Sequence, residues 1–159
     1  MSRGPRCLVA CFAVMDALDG AASKEDILDE VVKTFRANVF FRNFEIKGPA
    51  DRILIYLTLY VTQCLATIRP TMGKDDAKNA LYQLAISNFA IPGDGGFPLS
   101  GFFKAPSSRA EGDQLRQAIQ QYRWELGIRL VDAVYQDGKT PSKWWMCFTK
   151  RKFLNKTMA

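Results

Sequence analysis

The stretch Pro49 to Pro70, PADRILIYLTLYVTQCLATIRP, decides the fold. From Ile53 to Val61 only Thr58 is markedly polar, and apolar positions continue through Cys64, Leu65 and Ile68 until Pro70 stops the segment. Its β-branched and aromatic side chains would suit a buried strand as well as a helix. Length arbitrates: about 18 residues without a turn signal exceed an ordinary strand and predict a helix buried on most sides. Pro49 fits the first helical position, where its missing N–H is not needed. Asp51, Arg52, Thr62 and Gln63 leave the apolar run too short for a bilayer span, so the segment is read as the central element of a core.

The flanking segments read as helices packed on it. Ser23, with Asp26 three residues on, gives a loose capping-box signal, and Ile27, Leu28, Val31, Val32 and Phe35 then recur on one helical face. Periodicity breaks down at Val39, Phe40, Phe41 and Phe44, before Gly48 and Pro49. Lys74 to Ser87 predicts a third helix, with Asp75 and Asp76 at its positive end and Ala77, Leu81, Leu84 and Ala85 inward. Arg109 to Tyr135 predicts the longest, on the stripe Leu115, Ile119, Tyr122, Leu126, Leu130 and Val134. Gly127 inside it costs about 1 kcal/mol relative to alanine.

Between them, Asn88 to Pro106 contains NFAIPGDGGFPLSGFF. Gly93, Gly95, Gly96 and Gly101 lack the Gly-Lys-Ser/Thr and the strand-turn-helix frame of a phosphate loop. The segment reads as a long ordered loop pinned by Ile91, Phe97, Leu99, Phe102 and Phe103, and a loop of this length in a small domain is often a binding element. The expected fold class is therefore mainly α: one compact domain of about five helices over residues 23–159, with a long Gly/Pro-containing loop.

Composition narrows the chemistry. The 159 residues contain no histidine, which removes the commonest general acid or base near neutral pH and the Ser-His and Cys-His nucleophile pairs. Cys7, Cys11, Cys64 and Cys147 form no CxxC pair and lack the dense spacing of a disulfide scaffold, and zinc would need these scattered thiols to converge, so reduced thiols are expected, Cys64 serving as a small core hydrophobe. Neither a catalytic centre nor a cofactor is expected. Residues 1–22 form a divergent N-terminal segment open to disorder. Arg3, Arg6 and the apolar run Cys7 to Met15 imitate a secretory signal, but Asp16 and Asp19 follow without a clear cleavage pattern.

The charge is concentrated at one end. Six cations (Lys139, Lys143, Lys150, Arg151, Lys152, Lys156) and no anion follow Gly138, while residues 1–138 hold 16 cations against 16 anions, so the net +6 belongs to the tail PSKWWMCFTKRKFLNKTMA, residues 141–159. If Ser142 caps a short helix there, Trp144, Trp145 and Phe148 cluster at helical spacing and Arg151 and Lys152 fall in its later turns, where cations suit the helix dipole. Adjacent tryptophans project about 100° apart, which allows one ring in the core and the other at a partner. Such a layout docks on an acidic partner.

Four segments, DILDEVVKTFRANVFFRNFEIKGPAD (residues 26–51), ILIYLTL (53–59), NFAIPGDGGFPL (88–99) and PSKWWMCFTKRKFLN (141–155), closely resemble subunit 3, the 21-kilodalton subunit, of the actin-related protein 2/3 complex, from about Asp26 to the C-terminus. The resemblance implies a helical subunit without an active site, in a seven-subunit assembly that nucleates actin branches from existing filaments in the cytoplasmic actin cytoskeleton. It implies that the subunit sits against the larger actin-related protein, and that ATP belongs to the actin-related partners. Residues 1–22 do not match the extended arm ending in a Lys-Gly-Pro-Ala-Pro-like string that members usually carry.

The expected partner-binding set is Trp144, Trp145, Phe148, Lys150, Arg151, Lys152 and Phe153 of the tail, with Phe97 and Pro98 of the loop. Two rival readings use the same tail. In a nucleic-acid-binding module the rings would stack bases and the lysines track phosphates, although the body is neutral and no helix-turn-helix, zinc or RNP pattern appears. In a peripheral membrane protein the cations and aromatics would form separate long faces, which they do not.

Overall fold

Pro49–Thr67 is a helix, buried on every side over Ile55 to Thr62 and again at Cys64 and Leu65. The computed structural model describes residues 26–43 and 45–158, and among these the chain forms five α-helices, one 3-10 turn and no strand. In chain order the helices are α1 (Ile27–Asn38), α2 (Pro49–Thr67), α3 (Lys74–Ile86), α4 (Arg109–Val134) and α5 (Lys143–Met146), and Phe153–Asn155 forms the 3-10 turn. α2 touches α1, α3, α4 and the 3-10 turn, the central place its apolar content predicted. Its two buried hydroxyls are satisfied inside the helix: Thr58 donates to the Leu54 carbonyl at 2.7 Å and Thr62 to that of Leu59 at 2.5 Å. The Asp51 carboxylate accepts the backbone N–H groups of Lys47 and Gly48, fixing the entry to the helix.

The start of α1 differs from the expected Ser23 cap, which lies outside the described residues. Asp26 is the cap, accepting from the N–H groups of Leu28 and Asp29 at 3.1 Å each. Its carboxylate is held at the same time by Arg129 of α4, which also reaches Asp29 at 3.1 Å. A contact between residues 103 positions apart therefore ties the capped end of α1 to α4. Burial pushes the Asp26 carboxyl up, but the Arg129 guanidinium and the two N–H donors outweigh it, and the group rests below the usual carboxylate range. Leu28, Val31 and Phe35 enter the core.

α3 and α4 form an antiparallel pair. Lys74 meets Asp132 at 2.9 Å, a Cβ built on Gly127 would lie 3.5 Å from that of Leu81, and Arg123 donates to the Leu84 carbonyl at 2.8 Å. Gly127 thus admits the neighbouring helix, a return for its propensity cost. Of the predicted α4 stripe, Ile119, Leu126, Leu130 and Val134 are buried and Leu115 and Tyr122 half-buried.

The connection between the pair behaves as an ordered loop. Ile91, Phe97 and Leu99 are buried, and Asp94 ties the turn by accepting from the Ile91 N–H at 3.0 Å. Gly93 has φ +102°, where a side chain would be strained. α4 starts at the Ser108 cap, with the Glu111 carboxylate drawing the Ser107 N–H at 2.7 Å and the Ser107 hydroxyl back over its first turn. The Tyr135 hydroxyl donates to the Met72 carbonyl at 3.0 Å, and the Ser142 N–H to that of Val134 at 2.8 Å, turning the chain back into the tail.

Candidate partner-binding face

The tail docks on the C-terminal half of α1 through stacked rings. Trp145, only 4% exposed, lies parallel to Phe35 with centroids 5.9 Å apart, and the Arg36 guanidinium sits 5.5 Å from the Trp145 centroid. Phe148 stands edge-on to Phe35 and to Phe40, 5.9 Å from each, and Arg151 lies 5.2 Å from the Phe40 centroid. These aromatic and cation–π contacts are each worth about 0.5–1.5 kcal/mol beyond the area they bury.

Trp144 points the other way and is 77% exposed, the largest opening of any large apolar side chain among the described residues. The 100° step between neighbouring helical residues thus separates the two tryptophans as expected, one into the core and one into solvent. Phe40 and Phe41 are also more than half exposed. Around them Lys143, Lys150, Arg151 and Lys152 are exposed and pair with no carboxylate among the described residues. The face therefore combines uncompensated positive charge with uncovered aromatic rings, a composition suited to an acidic surface with apolar recesses.

Two expectations about the tail need correction. Ser142 stands at the cap of α5, but its side chain makes no capping hydrogen bond. α5 spans only four residues before the chain passes into turns, where the Cys147 thiol and the Thr149 hydroxyl donate to the carbonyls of Trp144 and Met146. Arg151 and Lys152 accordingly lie beyond the helix, where its dipole does not act.

Beyond them Phe153 is fully buried against α2, and Leu154 and Asn155 follow with φ of 52° and 54°. Left-handed backbone at a leucine costs about 1–2 kcal/mol, and burial of the Phe153 ring offsets it. The tail then runs on, and Met158 lines a cleft of about 340 Å³ together with Pro98, Tyr56, Phe89, Arg116 and Arg123.

Of the nine expected residues, Trp144, Lys150, Arg151 and Lys152 lie open and Phe148 is half-buried beside them. Trp145 and Phe153 are inward anchors that hold this strip to the body. Phe97 is buried, stacked on Tyr56 at 6.1 Å and edge-on to Phe103 at 5.5 Å. Pro98 is half-buried on the separate cleft. Phe40, Phe41 and Arg36 join the face without having been expected there; the available signal was the loss of periodicity at Phe40 and Phe41, which placed large rings where no helical stripe needed them.

The cleft itself is built for support. Arg123, 2% exposed, is held between Tyr60 and Phe89, 4.5 and 4.4 Å from the two centroids, and donates to the last turn of α3 and, at 3.4 Å, to the Tyr56 hydroxyl. The negative end of that helix takes the place of a carboxylate in balancing the buried charge of Arg123. Cys64 is completely buried and its thiol is pushed up to about 12, a packing group rather than a nucleophile. Among the described residues no group of three or more His, Cys, Asp or Glu could hold a metal ion, and no helix is long and apolar enough to cross a membrane. Base stacking by the tail would rest on Trp144 alone, because the Trp145 ring is spent on Phe35 and Phe148 is held between Phe35 and Phe40.

The family described as the ARP2/3 complex ARPC3 (21 kDa) subunit matches residues 3–158, extending into the N-terminal segment. Actin-related protein 2/3 complex subunit 3 of Dictyostelium discoideum is 51% identical over 140 residues, covering 87% of this chain and 80% of its own. The subunit of that name from Schizosaccharomyces pombe is 49% identical over 137 residues (86% and 78%), and that from Arabidopsis thaliana 42% over 132 (83% and 76%). With its helical body, this match over nearly the whole length means that the chain belongs to the 21-kDa subunit family of the actin-related protein 2/3 complex.

Proposed function

We propose that this chain is a non-catalytic scaffold subunit of the actin-related protein 2/3 complex in the cytoplasmic actin cytoskeleton, docking on the larger actin-related subunit through the face formed by α1 and the tail. Residues 23–159 act as one helical domain, with residues 1–22 a divergent segment before it. The observation that carries the reading is the opposed placement of Trp144 and Trp145: one ring fixes the tail, and its neighbour is left uncovered amid cations that meet no carboxylate among the described residues. Trp144 and the half-exposed Phe40 supply the apolar anchors of the contact, while Lys150, Arg151 and Lys152 raise the association rate and set orientation. Nucleotide chemistry belongs to the actin-related partners in this reading, and the chain contributes position and rigidity to branch nucleation. The test is purification of the complex through a tagged actin-related subunit from cells carrying Arg151→Glu with Lys152→Glu. Reduced recovery of a folded variant is expected, and unchanged recovery removes these residues from the interface.

A further inference from the structure

The cleft beside the Gly/Pro-containing loop gathers more positive charge than the chain matches. Two guanidinium groups flank the Phe89 ring, Arg123 at 4.4 Å and Arg116 at 5.7 Å from its centroid, and both arginines line the cleft of about 340 Å³. Asp94 is the one carboxylate among the described residues that line it. It stands 3.6 Å from Arg116, beyond hydrogen-bonding range, and the same Oδ2 atom accepts the Ile91 N–H at 3.0 Å. Arg123 meets no carboxylate among the described residues. The end of α3, whose Leu84 carbonyl it holds, opposes it with only about half an elementary charge. The Nε–H of Arg123 is buried and finds no acceptor among the described residues. Buried polar groups as a rule have a partner, so an orphan donor beside a cleft marks a place for one.

We infer that this cleft is a binding site for a carboxylate group carried on a short apolar stem. The charge count sets the valence: two guanidinium groups against one shared carboxylate leave room for a single negative charge, and Asp94 repels a second. Arg116, its side chain 38% exposed, is the group that takes the ligand. Its Nη1 donates to the Phe89 carbonyl at 2.7 Å, which fixes the plane of the guanidinium, and a planar fork of N–H groups fits a carboxylate. Arg123 acts from behind the Phe89 ring, where its buried charge is weakly screened. Tyr56, Pro98 and Met158 supply the apolar wall, and a volume near the lower end of small-molecule sites limits the stem to a few carbons. A free small acid and an acidic side chain of another subunit present the same group. The cleft lies apart from the cationic face, and the inference does not depend on which partner takes that face.

The test is NMR of the full chain, isotope-labelled in its arginines, titrated with propionate and in parallel with its neutral counterpart propionamide and with chloride at matched ionic strength. The Nε–H signals of Arg116 and Arg123 move saturably with propionate and stay in place with the other two. Arg116→Gln, at a half-buried position, melts close to the parent and weakens propionate binding several-fold. Equal movement with propionamide or chloride overturns the inference, as does a propionate response that Arg116→Gln leaves unchanged. Phenylglyoxal labelling of Arg116 in the purified complex, read by mass spectrometry, then separates the two sources. Labelling as fast as in the free chain and slowed by propionate supports a free acid. Protection before propionate is added, relieved by high salt, supports an acidic side chain of another subunit. Protection that salt does not relieve assigns the cover to an uncharged contact and overturns the inference, and so does labelling that propionate leaves unchanged in an uncovered cleft.

Discussion

α2 and the C-terminal tail are both rich in aliphatic and aromatic side chains, yet they are held in opposite ways. α2 is enclosed by α1, α3, α4 and the 3-10 turn, so nearly every apolar residue it carries is consumed by the fold. The tail spends Trp145 and Phe153 on the body and leaves Trp144 in water among cations. Where enclosure is complete, composition reports stability. Where rings exceed the anchors a segment needs, the surplus is what the proposed partner contact would use.

The largest effect that can break this contrast belongs to α2. Leu57→Ala removes a fully buried side chain and is expected to cost about 3–4 kcal/mol, read by chemical denaturation, with the cavity contributing part of the loss. A cost below about 1 kcal/mol would mean that α2 is not enclosed as described. In the tail, Phe153→Ala costs less, about 2 kcal/mol, because the short segment peels away instead of leaving a closed cavity. Hydrogen exchange should then quicken over residues 150–158 and stay slow in α2.

A smaller effect sharpens the boundary of α1. Asp26→Asn keeps a competent cap and removes the charge facing Arg129, costing about 1 kcal/mol at neutral pH. Since the folded-state pKa of Asp26 lies below its unfolded value, the charged group stabilises fully above the unfolded pKa. That contribution is lost as pH falls through the lowered folded value. Urea unfolding of parent and variant should therefore begin to converge as pH falls below about 4 and meet once it has passed the lowered folded-state value; a gap that persists below that value would assign the effect to something other than ionisation. The least stability is at stake at Arg151 and Lys152, where double charge reversal should shift unfolding by no more than about 0.5 kcal/mol while weakening incorporation.

The elements legible in the sequence were those whose partners lie on every side or on one continuous stripe. The unbroken run of α2 needed no knowledge of its neighbours, and the α4 stripe pointed inward wherever the helix packed. Asp26 shows what stayed hidden: besides its local cap it holds Arg129, far along the chain, and no local pattern encodes that pairing. Gly127 read as a propensity cost until Leu81 was seen against it. The left-handed turn at Leu154 and Asn155 has no glycine to announce it; it follows from bringing Phe153 inward, which only the packed core dictates. At the candidate partner-binding face, the cluster of charge and rings was legible, but the division of labour among the rings was not, because it depends on where Phe35 and Phe40 lie relative to the tail.

The division between the two tryptophans is the most direct point of attack. Trp144→Ala and Trp145→Ala should be compared side by side for melting temperature of the free chain and for yield in the purified complex. The account predicts that Trp144→Ala melts with the parent and is depleted from the complex, whereas Trp145→Ala loses several degrees of melting temperature along with the tail. A Trp144→Ala chain recovered in the complex at parental yield would contradict the claim that the exposed ring is kept for a partner.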